Sequence, residues 1–191
     1  MMYILYDTAL NGLYTLSLLQ KIYPDNISLF KGTKDEHLFD VAPYLFTIDD
    51  LFFQNITDPY ISLQAVTVLE SDRKLNDLHE HFRHFIYQRT DGRENYFRFW
   101  DARVLARFLP ACSDKKLDSF FDGIKSFYEP DQEKGTAKKY FIKRAKLQSD
   151  ILPLSKLFVL TNDSEEEILV ASGSEDEPKK TKRTFFMDNV K

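Results

Sequence analysis

The sequence predicts an α/β fold with a mixed, partly parallel sheet, flanking amphipathic helices and a C-terminal extension. Stretches typical of strands alternate with stretches whose apolar residues recur at helical spacing, which is the rhythm of βαβ units. The 17 Phe and 10 Tyr among 191 residues supply ample core, whereas only 6 Gly argue against a turn-rich all-β fold. A chain of this length in one domain buries roughly 70% of the surface of its unfolded state.

The first half of the chain predicts four strands and two helices. Pro43 suits a strand start because it lacks the N–H donor of a sheet ladder. Residues 65–69, three of which are β-branched, give the clearest strand signal. The expected elements are a strand at 3–6, a helix from Asp7 or Thr8 to about Tyr23, short strands at 27–30 and 44–48, a strand at 65–69, and a helix from Ser71 or Asp72 to about Ile86.

The second half predicts a strand that runs directly into a helix, followed by less regular segments. Residues 143–170 fit either a strand or a helix in part, and from 171 the composition shifts to Ser, Gly, Glu, Asp and Lys, as in solvated tails. We therefore expect a domain at 1–170 and a flexible tail at 171–191. The expected elements are a tight turn at 90–93, a strand at 96–100, a helix from Asp101 to Leu109, a helix from Ser113 to Ile124, and a hairpin pairing 127–128 with 140–142.

The junction between strand and helix at Asp101 carries the densest cluster of charge and aromatic residues. Asp101 is predicted to cap the helix, because its carboxylate can accept the free N–H groups of the first turn. Trp100 and Leu105 stand at the two positions of a hydrophobic staple. Arg98 and Arg103 flank the cap on either side.

Three interpretations of these charges are open. In the first, which we favour, Arg98 and Asp101 form an ion pair that braces the junction, with Arg103 and Arg107 on a solvated face. In the second, the arginines anchor a partner's carboxylate or backbone at the rim of a binding groove. The third is a phosphoester-cleaving cluster, which lacks a second nearby carboxylate, a metal-ligand pattern and a phosphate loop.

The same stretch resembles a known family. The run F-R-F-W-D-A-R-V-L at 97–105, preceded by D-G-R at 91–93 and V-A-P-Y-L at 41–45, is similar to the effector chaperones of type VI secretion, the Tap/Tec adaptors. The resemblance extends from about residue 3 to about residue 128. Ala102 stands where that family usually has Pro, and since Ala favours a helix start, the helix should begin unchanged.

The resemblance implies a non-enzymatic adaptor in the cytoplasm that holds the N-terminal segment of a toxin effector and helps load it onto a VgrG-type spike. The alternatives are an immunity-type inhibitor of a toxin, or a phosphoester hydrolase that uses the charge cluster. The residues implied in effector binding or as family signature are Pro43, Tyr44, Arg98, Trp100, Asp101, Arg103 and Arg107.

Composition argues against several other classes. The net charge of −4 does not favour nucleic acid, since phosphate contacts need a basic face. A single cysteine, Cys112, fits a reducing compartment, and neither a signal peptide nor a membrane-spanning apolar run is apparent. His79, His81 and His84 lack the spacing of zinc motifs, so we expect a solvated face, no metal and no cofactor.

A surplus of aromatic residues precedes the middle of the chain. Most are expected in the core, but several exposed together would form a patch for a protein partner. They are Phe39, Tyr44, Phe46, Phe52, Phe53 and Tyr60.

Overall fold

Strands form one large sheet and a separate hairpin in the computed structural model, which describes residues 1–56 and 58–157. Seven strands pair in the order β2-β3-β1-β4-β7-β8-β9, and β5 pairs with β6. The strands are β1 (Met2–Asp7), β2 (Asn26–Ser28), β3 (Pro43–Ile48), β4 (Thr67–Ser71), β5 (Tyr87–Thr90), β6 (Arg93–Tyr96), β7 (Ile124–Asp131), β8 (Thr136–Lys143) and β9 (Lys146–Pro153).

Helices cover both faces of this sheet, so the chain is α/β as predicted. One core cluster packs α4, α5 and α6 against one face, and a second packs α2 and α3 against the other. β1 lies inside the sheet between β3 and β4, and all six of its residues are buried. The helices are α1 (Thr8–Asn11), α2 (Leu13–Ile22), α3 (Phe52–Asn55), α4 (Leu75–Ile86), α5 (Ala102–Ala111), α6 (Asp114–Phe120) and a short 3-10 turn (Leu154–Lys156).

The prediction of a partly parallel sheet is wrong, because every neighbouring pair of strands is antiparallel. The alternation of strands and helices gives their order but not their direction. β3 returns beside β1 before β4 begins, and between β4 and β7 lie three helices and the hairpin. A connection of that length can re-enter the sheet from either end, so the βαβ pattern did not determine the direction of β7.

Some predictions of individual elements are confirmed and others are wrong. The hairpin of β7 with β8 and the strand start at Pro43 are confirmed. The first helix is divided at Gly12, whose φ of +85° interrupts the helical backbone. Residues 97–100 are not a strand; the chain leaves β6 at Tyr96 and turns into α5. The ambiguous segment supplies β9, and the predicted boundary at 170 and tail at 171–191 lie outside the described residues.

Pairing registers bring several strand ends together at one end of the sheet. Asp7 is the last residue of β1. Thr67, the first residue of β4, pairs with Leu5, which lies two residues before Asp7. The ladder continues across β7 and β8, where Glu129 pairs with Lys138 and Lys138 pairs with Ile151 of β9. The site described next lies at this end.

Candidate functional site

The predicted charge cluster folds into what we call the arginine corner: Asp7, Arg98, Trp100, Asp101 and Arg103. It joins the end of β1 to the turn before α5. The corner contains two buried carboxylates and two guanidinium groups that reach solvent. The ion pairs differ from the predicted ones.

Asp7, and not Asp101, is the partner of Arg98. The Asp7 carboxylate is 2% exposed and accepts hydrogen bonds from the Arg98 guanidinium and, at 3.2 Å, from Trp100 Nε1. Asp7 occupies the N-cap position of α1, yet its side chain makes no capping hydrogen bond there. The predicted Arg98–Asp101 ion pair is therefore wrong, because a residue distant in sequence supplies the acceptor.

Asp101 caps α5 as predicted and also binds the next arginine along the chain. Its carboxylate accepts from the backbone N–H of Arg103 at 3.0 Å, and from the Nε and Nη2 atoms of the same residue at 3.0 and 2.7 Å. Burial by itself would raise the pKa of Asp101, but these hydrogen bonds and the charges of Arg103 and Arg98 outweigh it and lower that pKa.

Buried aromatic residues hold the corner in place. Phe99 stacks on Phe82 of α4 with ring centroids 4.9 Å apart, and Trp100 meets Phe30 edge to face. The Thr67 hydroxyl lies 3.3 Å from the carbonyl oxygen of Trp100 and can donate to it. Phe99 and Trp100 are fixed in the core. The side chains of Arg98 and Arg103, which precede and follow them in sequence, are 46% and 60% exposed.

A backbone strap ties the corner to the loop before β4. The Ala102 N–H donates to the Ala65 carbonyl at 2.8 Å, and Val66 forms an isolated β-bridge with Asp101. Ala65 has a φ of 54°, in the left-handed region that residues other than Gly rarely adopt. Such conformations persist where surrounding contacts impose them, and they are common at functional sites.

The other side of that loop forms a groove, which we call the end groove. It encloses about 800 Å³ between residues 59–65 and the β7–β8 turn. Its most exposed large apolar side chains are Tyr60 and Ile151, at 79% and 75% exposure. The acidic lining residues are Glu129, Asp131 and Glu133, and the basic ones are Lys134 and Lys138.

Asn11 fixes the near wall of the end groove to α1. Its side chain accepts from the Gln64 N–H at 2.7 Å and from the Ser62 hydroxyl at 2.8 Å, and it donates to the Gln64 carbonyl at 3.0 Å. Asn11 also donates to the backbone carbonyl of Asp7 at 3.2 Å. One amide thus connects the groove wall with the arginine corner.

The remaining predicted site residues are only partly brought together. Pro43 is buried and lies opposite Asp7 in the register of β3 with β1. Tyr44 is half-buried, its hydroxyl donates to the Phe39 carbonyl at 3.4 Å, and burial raises its pKa. Arg107 is exposed on α5, one turn beyond Arg103, and has no ion-pair partner among residues 1–56 and 58–157.

The aromatic surplus does not form one exposed patch in the described residues. Phe46 and Phe52 are buried, as expected of most of the set, whereas Phe39 and Tyr60 are exposed. They flank different strands and share no ring contact that the structure records. The side chain of Phe53 lies outside the described part.

The prediction of a solvated histidine face on α4 holds only for His84. His79 is buried, and its Nε2 atom has no hydrogen-bond partner in the described structure. His81 is half-buried, with Nε2 3.0 Å from the Phe120 carbonyl oxygen. Burial lowers the pKa of both residues. Nowhere in the described ranges do three His, Cys, Asp or Glu residues form a group that could hold a metal ion.

Chemically, the corner offers fixed N–H donors more readily than a free carboxylate. Both oxygens of Asp101 accept from Arg103, and Asp7 is enclosed by Arg98 and Trp100. Guanidinium groups held in this way suit recognition of a carboxylate or a backbone carbonyl.

Sequence reasoning missed Asp7 and the loop at 59–65 as parts of this site. A signal for Asp7 existed, since a carboxylate directly after a wholly apolar strand needs a cation once it is buried. The loop carried no such signal, because its position depends on contacts with α1 and α5.

Comparison with known proteins gives a family and no individual relative. Neither the curated proteins nor the solved structures contain a match to this chain. No helix in the described ranges has both the length and the apolar character needed to cross a membrane. A family model described as a domain of unknown function, DUF4123, matches residues 2–119, which include the whole arginine corner and, of the end groove, the wall at 59–65. The chain therefore belongs to the DUF4123 family.

Proposed function

We propose that this protein is a non-enzymatic adaptor of type VI secretion, which binds the N-terminal segment of a toxin effector and helps to load it onto a VgrG-type spike. Two kinds of support exist. The run at 97–105 resembles the signature of the Tap/Tec effector chaperones, and it lies within the stretch that the family model matches. The arginine corner, built from that run, is the single observation that carries the proposal.

The proposed grip uses the outward N–H groups of Arg98 and Arg103. Each guanidinium is held on its inner side by a buried carboxylate, Asp7 or Asp101, while its outer side reaches solvent. A partner's carboxylate or backbone carbonyl would accept from these remaining donors. Since the arginine side chains are already ordered, binding would cost less side-chain entropy than it does for free surface arginines.

The end groove would take the chain that continues from this polar anchor. Ala65 belongs to the groove lining and also receives the hydrogen bond from Ala102 at the start of α5, so the two features are adjacent. Tyr60 and Ile151 provide apolar surface for a partner segment. Covering an effector's apolar N-terminal segment in this way would keep it from aggregating until the spike competes for it.

The test is a binding measurement between the full chain and the toxin effector encoded beside it. We expect Arg103→Glu to weaken the complex by about tenfold or more, because it replaces an exposed N–H donor by a negative charge that repels a carboxylate or carbonyl of the partner. Lys115→Glu is the control: it also replaces a basic side chain by a glutamate, at an exposed residue of α6 with no recorded ion pair in the described part.

The outcomes separate the alternatives. Equal binding by the two variants would remove the corner from the interface, and no binding to the effector would end the proposal. An effector whose toxic activity is silenced in the complex, with secretion unaffected by loss of this chain, would instead identify an immunity-type inhibitor.

A further inference from the structure

The outer edge of β9 offers a second interaction surface, separate from the arginine corner. β9 pairs with β8 at eight consecutive positions, from Lys143 with Lys146 to Thr136 with Pro153, and the ladder has no bulge. On its other side no strand of the described chain pairs with it. Alternate residues of β9 direct their N–H and C=O groups to this edge, and within the strand only Pro153, its last residue, lacks an N–H donor.

An edge strand that is accessible in this way is unusual in a monomeric protein. Monomeric proteins normally block edge strands by making them short, by bulges, by a proline within them or by charged side chains. β9 is neither short nor bulged and has no proline within residues 146–152, the apolar side chain of Ile151 is exposed beside it, and its charged residues are Lys146 and Asp150. The charges on the strand determine which partner fits.

Lys146 and Asp150 are four residues apart and therefore point to the same face of the sheet. Asp150 has no ion-pair partner in the described residues, although Lys139 lies opposite it on β8. When a second β9 runs antiparallel with Gln148 opposite its own copy, each Lys146 faces an Asp150. The strand is thus complementary in charge to itself, and Asp150 would gain a second neighbouring cation.

The neighbouring register is less favourable. If Ser149 were opposite its own copy, Lys146 would face Leu152, and the two Asp150 carboxylates would approach each other diagonally. We propose that a second copy of this chain docks on β9, antiparallel and centred on Gln148, and joins the two seven-stranded sheets across a two-fold axis. This inference is independent of the proposed adaptor function.

One existing contact competes with the new one. Lys146 Nζ binds Asp114 of α6 at 2.8 Å, and both side chains are largely exposed. Exposed ion pairs contribute little to stability, so exchanging Asp114 for the partner's Asp150 has a small cost. We expect Asp114→Asn to strengthen the dimer, because Lys146 is then free to bind across the axis.

The first test is sedimentation equilibrium of the full chain over a wide range of protein concentration. We expect a reversible monomer–dimer equilibrium that either Lys146→Asp or Asp150→Lys weakens by about tenfold, since each places like charges opposite each other twice. The double variant restores opposite charges and should recover the dimer. Gln54→Lys on α3, at an exposed residue outside both surfaces, is the control and should leave the equilibrium unchanged.

The second test is covalent and reports the register. In a Cys112→Ser background, Gln148→Cys should form a disulfide-linked dimer in oxidised glutathione, whereas Gln54→Cys should not. A chain that remains monomeric at all concentrations and fails to cross-link at residue 148 overturns the inference. A dimer that ignores both charge reversals, or a β9 edge bound instead by a different protein or by residues 158–191, overturns it as well.

Discussion

Two regions of the molecule differ in how their buried polar groups are hydrogen-bonded. In the arginine corner, Asp7 and Asp101 are buried, and every recorded hydrogen bond of their carboxylates comes from Arg98, Trp100 or Arg103. On α4, His79 is equally buried, but its Nε2 atom has no partner in the described residues. A buried carboxylate stays charged where cations and N–H donors surround it, whereas burial of an imidazole favours its neutral form unless anions or acceptors stabilise the protonated one.

This difference has a consequence for function. The carboxylates of the corner hold two arginines in fixed positions at the surface, which suits recognition of a partner. Burial lowers the pKa of His79, and the charges of Arg83 and Lys31 act in the same direction, whereas Glu80 and a backbone hydrogen bond at Ser28 oppose this shift without reversing it. The arginine corner therefore stabilises charged side chains, whereas the surroundings of His79 disfavour its protonated form.

The largest expected effect comes from removing the acceptor at the centre of the corner. Asp7→Ala leaves Trp100 Nε1 buried without a partner and frees Arg98, so we expect a loss of about 3 kcal/mol in the free energy of unfolding. Denaturant titration of both proteins measures it. A loss within 0.5 kcal/mol, as is usual at surface sites, would show that the pair does not brace the fold.

Asp101→Ala should have a smaller effect, about 1–2 kcal/mol, through loss of the helix cap and of the bond to Arg103. The pKa of Asp101 is lowered in the folded chain, so its contribution is complete above the ordinary Asp pKa and disappears as the pH falls through the lowered value. The stability difference between wild type and variant should therefore shrink in acid. A difference that does not change with pH would contradict the charge assignment.

The smallest expected effect on stability comes from replacing His79, whose buried Nε2 atom has no hydrogen-bond partner in the described residues. Because its folded pKa is lowered, the unfolded chain takes up a proton first as the pH falls below about 6.5, and wild-type stability decreases there. His79→Leu should flatten this decline and raise stability by at most about 1 kcal/mol at neutral pH. His81, whose pKa burial also lowers, should contribute to the slope that remains. A decline unchanged in His79→Leu would mean that His79 is protonated in the folded chain.

Much of the local structure was predictable because it depends on neighbouring residues. The N-cap at Asp101 needs only the N–H groups of the next turn, and the apolar stripe of α4 needs only helical spacing. Strand ends also followed from single residues, as at Pro43. These features are local in sequence, so the amino-acid order was sufficient to predict them.

What the sequence by itself determined is an α/β chain with a capped helix after an aromatic–arginine run, and a charge cluster at that cap. Only the tertiary structure decided that the sheet is antiparallel, that Arg98 binds Asp7 at a separation of 91 residues, and that His79 is buried. The physical reason is that ion pairing and burial depend on which groups meet across the sheet, whereas capping and periodicity depend on groups a few residues apart.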